Sequence, residues 1–96
     1  MIVEKQIDQV FAVLGVPREL LCRRVRWSWF ARQRALAAGL LSDVLGLTAQ
    51  EIADTLGRAS HATALDLIHR AQHPDLADDL ADLAARLRAR LAPPDL

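Results

Sequence analysis

The segment from Thr48 to Arg70 constrains this chain most, because it carries the start and stop signals of two helices in close succession. Thr48 followed three residues later by Glu51 forms a capping box, each side chain accepting the other residue's free amide. Ile52, Ala53 and Leu56 then place apolar groups on one helical face. Gly57 supplies the left-handed residue at which a helix stops. Ser60 caps a second helix, whose Ala64, Leu67, Ile68 and Ala71 recur at helical spacing. The small Ala53, four residues before Gly57, lets two helices cross closely. The pattern predicts a helix-turn-helix, a motif that offers its second helix to the DNA major groove.

With 96 residues, 52% of them apolar, the chain makes one domain with a small core. Aromatics are scarce and Ala and Leu dominate, which places it in the all-α class as a compact helical bundle. The formal net charge is zero, yet the charges are segregated. Arginines 18, 23, 24, 26, 32 and 34 face a single acid, Glu19, between Arg18 and Arg34. From Asp66 onward, aspartates 66, 75, 78, 79, 82 and 95 outnumber arginines 70, 86, 88 and 90. The average therefore hides a basic patch. Cys22 is the only cysteine, so an intrachain disulfide and a thiolate metal cluster are excluded; packing is its expected role. Charges interrupt every long apolar run, so neither a membrane span nor a signal peptide is expected. The expected setting is intracellular and soluble.

Along the chain, residues 3, 7, 10, 11 and 14 make an apolar stripe for a first helix that Gly15 ends. Pro17 opens a short second one, burying Leu20 and Leu21. Arg23 to Trp27 form a basic loop at the entrance of a long helix, from about Trp29 to Leu45 with Ser28 as its cap. Phe30, Leu36, Leu40, Leu41, Val44 and Leu45 supply its core contacts. Helix N-termini attract anions and guanidinium groups bond phosphate, so the loop arginines, Arg24 and Arg26 among them, are expected to meet the phosphate of DNA. Trp27 and Trp29 stand ready to stack on a base or sugar, or to lid the bundle. His73-Pro74 breaks the second helix of the motif. A last amphipathic helix follows from Asp75 to Leu91, with Leu76, Leu80, Leu83 and Leu87 in a short seam. That seam either packs on the body or joins a homodimer or protein partner. The expected division is a helix-turn-helix unit over 1–72 and an acidic leucine helix with a short tail over 73–96.

Two motifs resemble the C-terminal DNA-binding domain of the bacterial replication initiator DnaA. The run Arg26-Trp-Ser-Trp-Phe-Ala31-Arg32-Gln-Arg34-Ala-Leu36-Ala37 is similar to that family's Arg-Ser-x-Ser-Val-Ala-Arg-Pro-Arg-Gln-x-Ala. The run Glu51-Ile52-Ala-Asp54-x-Leu56-Gly57, followed by Ser60-His61-Ala62-Thr63, is similar to Glu-Ile-Gly-x-x-Phe-Gly-Gly-Arg-Asp-His-Thr-Thr. The segment between them has the same length without gaps, and the resemblance covers about residues 2 to 72. It implies a Trp-repressor-like fold that binds double-stranded DNA in a replication-initiator-like or transcription-regulator-like role. By position, Arg26 matches the arginine that enters the minor groove, where narrow A·T-rich DNA attracts a guanidinium. Arg34 matches a base contact in the major groove. His61 and Thr63 match the start of the recognition helix, and Leu65 a position near a thymine methyl. Arg32 matches a phosphate partner.

The chain departs from the family at Ser60, Ala62 and Ala59, where the family has aspartate, threonine and arginine, and Arg58 stands one place before the last of these. Ala35 and Gln33 replace a base-contacting glutamine and a proline. The site expected from residues and resemblance together is Arg24, Arg26, Arg32, Arg34, Arg58, Ser60, His61, Thr63 and Leu65. No Gly-x-x-x-x-Gly-Lys-Ser/Thr occurs in these residues, so nucleotide binding is not expected. His61, His69 and His73 lack the spacing of a metal site, and Ser60-His61 has no orienting acid. Neither a cofactor nor enzymatic activity is expected. The alternative is a protein-interaction module built on a helix-turn-helix that no longer binds DNA. Zero net charge and the acidic last helix favour that alternative, and the arginine cluster favours DNA.

Overall fold

The computed structural model describes residues 4–23, 28–57 and 60–92, and all its regular structure is helical. Six helices follow one another: α1 Glu4–Leu14, α2 Arg18–Cys22, α3 Ser28–Asp43, α4 Ala49–Thr55, α5 His61–Ala71 and α6 Pro74–Leu91. They form a compact all-α bundle.

Helix α3 is its axis, packing against each of the other five. Its sequence explains why. Every residue from Arg34 to Leu41 is buried, so α3 has no polar face over two turns and must be surrounded. Gly39 sets the tightest approach. A Cβ built there would lie 2.9 Å from the Ala71 Cβ of α5 and 2.9 Å from a Leu80 methyl of α6. Around α3, the stripes expected from spacing close on one another. Ile7, Val10 and Phe11 of α1, Leu21 of α2, Ile52, Ala53 and the adjoining Leu56 of α4, and Ala64 and Ala71 of α5 are all buried in one core.

The local signals act largely as read. Thr48 Oγ1 accepts from the Glu51 amide while Glu51 accepts from the Thr48 amide, completing the capping box. Gly57 has φ +68°, a conformation that costs a Cβ-bearing residue about 1 kcal/mol or more. Ser60 accepts from the Ala62 amide at 3.1 Å, and α5 begins at His61. Ser28, expected as a cap, is instead the first residue of α3, and the helix ends at Asp43 rather than near Leu45. Gly46, with φ +68°, turns the chain there.

Of the two expectations for the leucine seam of residues 73–96, packing on the body is the one the contacts of α6 match. Helix α6 lies along α1 and α3, with Leu76, Leu80, Ala84 and Leu87 buried in the common core and Leu83 partly buried. Its seam is filled from within the chain. The helix starts at Pro74, where a missing N–H costs nothing. His73 Nδ1 lies 2.6 Å from Asp75 Oδ1. At that distance the ring N–H donates to the carboxylate, so it does not also accept from the Asp75 amide at 3.5 Å. Arg70 Nη1 and Nη2 reach the same carboxylate. Desolvation pushes the Asp75 carboxyl upward, but the His73 hydrogen bond and the Arg70 charge outweigh it and hold the group below its ordinary range.

Candidate nucleic-acid interface

Helix α5 presents its residues in a way the burial pattern defines. Ala64 and Ala71 are buried and Leu67 and Ile68 half-buried, all along one edge. Residues advance about 100° each along a helix, so the opposite side is centred on Ala62, Asp66 and His69, flanked by Leu65 on one side and by Thr63 and Arg70 on the other. All six are exposed, as is His61 in the first turn. Leu65 is 40% exposed, a large apolar side chain held out in solvent. The two ends of α5 differ in character. Ser60 caps its N-terminus, and its hydroxyl proton has no acceptor among the described residues, while Arg70 near the C-terminus is committed to Asp75.

The arginines of the basic segment are distributed very differently from their spacing. Arg34, expected to reach a base, is 7% exposed. Its Nε donates to the Leu21 carbonyl at 2.9 Å, its Nη2 donates to the Arg23 carbonyl, and its guanidinium carbon sits 6.0 Å from the Phe30 ring centroid. The last carbonyls of a helix lack intrahelical partners and carry partial negative charge. The guanidinium of Arg34 satisfies them at the end of α2. Its base-contact assignment is therefore corrected: a side chain turned into the bundle and bonded to backbone does not reach a groove. What Arg34 does is fix the point from which the 24–27 segment departs.

Arg18 is similarly engaged. Its Nε donates to the Thr55 carbonyl at 3.0 Å and its Nη1 pairs with Glu4 at 2.8 Å, tying α2 to α4 and α1. Cys22 Sγ approaches the same Thr55 carbonyl at 3.7 Å, which gives this cysteine its packing role. Arg32 is half-exposed and pairs with Asp79 of α6. It remains at the surface, its charge already matched by a carboxylate. Trp29 is 50% exposed, its ring edge-on to Phe30 at 4.9 Å. Arg24, Arg26, Trp27 and Arg58 lie outside the described residues.

The structure therefore brings Ser60, His61, Thr63 and Leu65 together at the exposed start of α5, keeps Arg32 at the surface, and withdraws Arg34. The withdrawal has a sequence signal. Phe30, Arg34, Ala37 and Leu41 recur at spacings of four, three and four, so Arg34 stands on an apolar stripe. Asp66 was not singled out by spacing, although it falls one turn after Ala62 on the same side of the predicted second helix. Comparison with family models, with curated proteins and with solved structures gives no match.

Proposed function

We propose that this chain binds double-stranded DNA, with α4 and α5 acting as a helix-turn-helix and the 24–27 arginine segment reaching an adjacent minor groove. The observation that carries the reading is α5 itself. It is an eleven-residue helix held along one edge by α3 and α4, with its N-terminal turn and outer face exposed. His61 and Thr63 have no side-chain hydrogen bond or ion pair among the described residues. A rigidly mounted helix with an open N-terminal half is what major-groove reading requires. The role that suits it is replication-initiator-like or transcription-regulator-like. A protein partner is the second reading, favoured by the intramolecular partners of Arg18, Arg32 and Arg34.

Titration of labelled duplexes at several salt concentrations tests the proposal. Binding should weaken with salt through counterion release. Arg26→Ala should weaken it further and relax preference at an A·T-rich flank, whereas His61→Ala should alter preference within the major-groove half. Absence of binding at low salt by the folded protein refutes the DNA reading and leaves the protein-partner one.

A further inference from the structure

Asp66 occupies the middle of the exposed side of α5, the side on which the proposed DNA binding rests. It lies in the second turn, with Ala62 one turn before it and His69 one turn after. Its carboxylate has no hydrogen bond or ion pair among the described residues. The cation that helical spacing would supply, Arg70 four positions on, is held instead by Asp75 through both Nη atoms. A negative charge at the centre of a DNA-facing surface repels phosphate, so its productive contact is with a base edge. The chemistry of the major groove narrows the choice. Guanine N7 and O6 and thymine O4 are acceptors, and adenine sets N7 beside its amino group. Cytosine offers its N4 amino group with no acceptor of its own alongside.

We infer that Asp66 is a specificity-determining residue that accepts a hydrogen bond from the N4 amino group of a cytosine in the major groove. Ala62, one turn before it, carries no donor or acceptor side chain, and Thr63 and His69, three residues away in either direction, lie about 4.5 Å from it along the helix axis, so the carboxylate addresses the base opposite it. A purine placed there confronts it with a ring acceptor, and thymine with a carbonyl oxygen.

Selection of bound sequences from a random duplex pool, by the parent and by Asp66→Asn, tests this. The parent should hold a cytosine at one fixed position by about tenfold over the other bases, a discrimination of about 1.4 kcal/mol. An asparagine side chain is suited to the N6 and N7 atoms of adenine, so the substitution should move that one position toward adenine and leave the others unchanged. Uniformly tighter binding of every sequence by Asp66→Asn, with the parental preference intact, overturns the inference, since the carboxylate would then act only by repulsion. Such a result leaves the DNA reading standing. If neither protein recovers sequences at low salt while both remain helical by circular dichroism, the DNA reading itself fails and the inference with it.

Discussion

Replacing Arg34 by methionine separates the two roles that an arginine at this position could fill. Methionine keeps much of the stem's volume and packing but removes the donors to the Leu21 and Arg23 carbonyls. Hydrogen bonds involving a charged group contribute about 1.5–3 kcal/mol each. The bond to Leu21 is buried, whereas the one to Arg23 is only partly so, and water can replace the second donor at small cost. The net loss expected is therefore about 2 kcal/mol, a large share of the roughly 5–15 kcal/mol that holds a domain together. For a chain of this length it corresponds to a Tm lower by roughly 8–16 °C. Arg34→Lys keeps the charge, but a single ammonium lacks the planar fork that serves two carbonyls at once, so an intermediate loss is expected. Urea unfolding followed by circular dichroism measures both, with duplex titration of the same samples at a temperature where each is folded. A base-contacting arginine gives the opposite pattern: unchanged stability and altered base preference. If Arg34→Met unfolds at the parental urea midpoint but loses its preference for particular sequences, the anchoring role is refuted.

Three further perturbations follow from single contacts. Gly39→Ala should destabilise the bundle, because the new Cβ meets the Ala71 Cβ at 2.9 Å and that atom cannot rotate away; overpacking of about 1–3 kcal/mol outweighs the roughly 1 kcal/mol gained in helix propensity. A melting temperature at or above the parent's would show that α3 and α5 do not cross so closely. Asp79→Asn should release Arg32 and strengthen duplex binding at low salt by about two- to fivefold, the scale of an exposed ion pair, with a steeper salt slope. Asp78→Asn makes the same change in net charge and serves as the comparison, and equal gains from both would exclude a specific Arg32–Asp79 effect. Asp75 sets an acid dependence. Desolvation raises its carboxyl, yet the His73 hydrogen bond and the Arg70 charge prevail and lower it from its ordinary 3.8. A carboxyl lowered on folding stabilises the folded state above its unfolded value and ceases to do so as pH falls through the folded one. The stability gap between the parent and Asp75→Asn should thus close as pH drops below 3.8, measured by urea midpoints across that range, and a constant gap contradicts the linkage.

The helices were legible because helical burial repeats locally. Ile52 with Leu56, Ala64 with Ala71, and Leu76 with Leu80 lie within a turn or two of each other, so the spacing that marks them is written in adjacent residues. Caps and turn glycines are more local still, which is why Thr48–Glu51, Gly57 and Ser60 act as their sequence implies. The partners of the charges are another matter. Arg18 meets Glu4 and the Thr55 carbonyl across 14 and 37 residues, and Arg32 meets Asp79 across 47. No spacing rule encodes such pairs, because they exist only once α1, α4 and α6 have closed on their neighbours.

This difference changes what the arginine cluster is worth as an argument. Counted along the chain, the residues from Arg18 to Arg34 are a dense positive segment whose simplest counterpart is an anion. Folded, three of the arginines have counterparts within the protein: a carboxylate with a carbonyl for Arg18, α6 for Arg32, and the end of α2 for Arg34. The acidic last helix and the basic segment, which cancel in the net charge, also meet in space at Arg32 and Asp79. A phosphate therefore has to compete for Arg32. For Arg34 the functional consequence is indirect, through the departure point of the 24–27 segment that it fixes. The case for DNA moves from the number of arginines to the exposed side of α5, where the carboxylate of Asp66 decides between a base-reading helix and one that only repels nucleic acid.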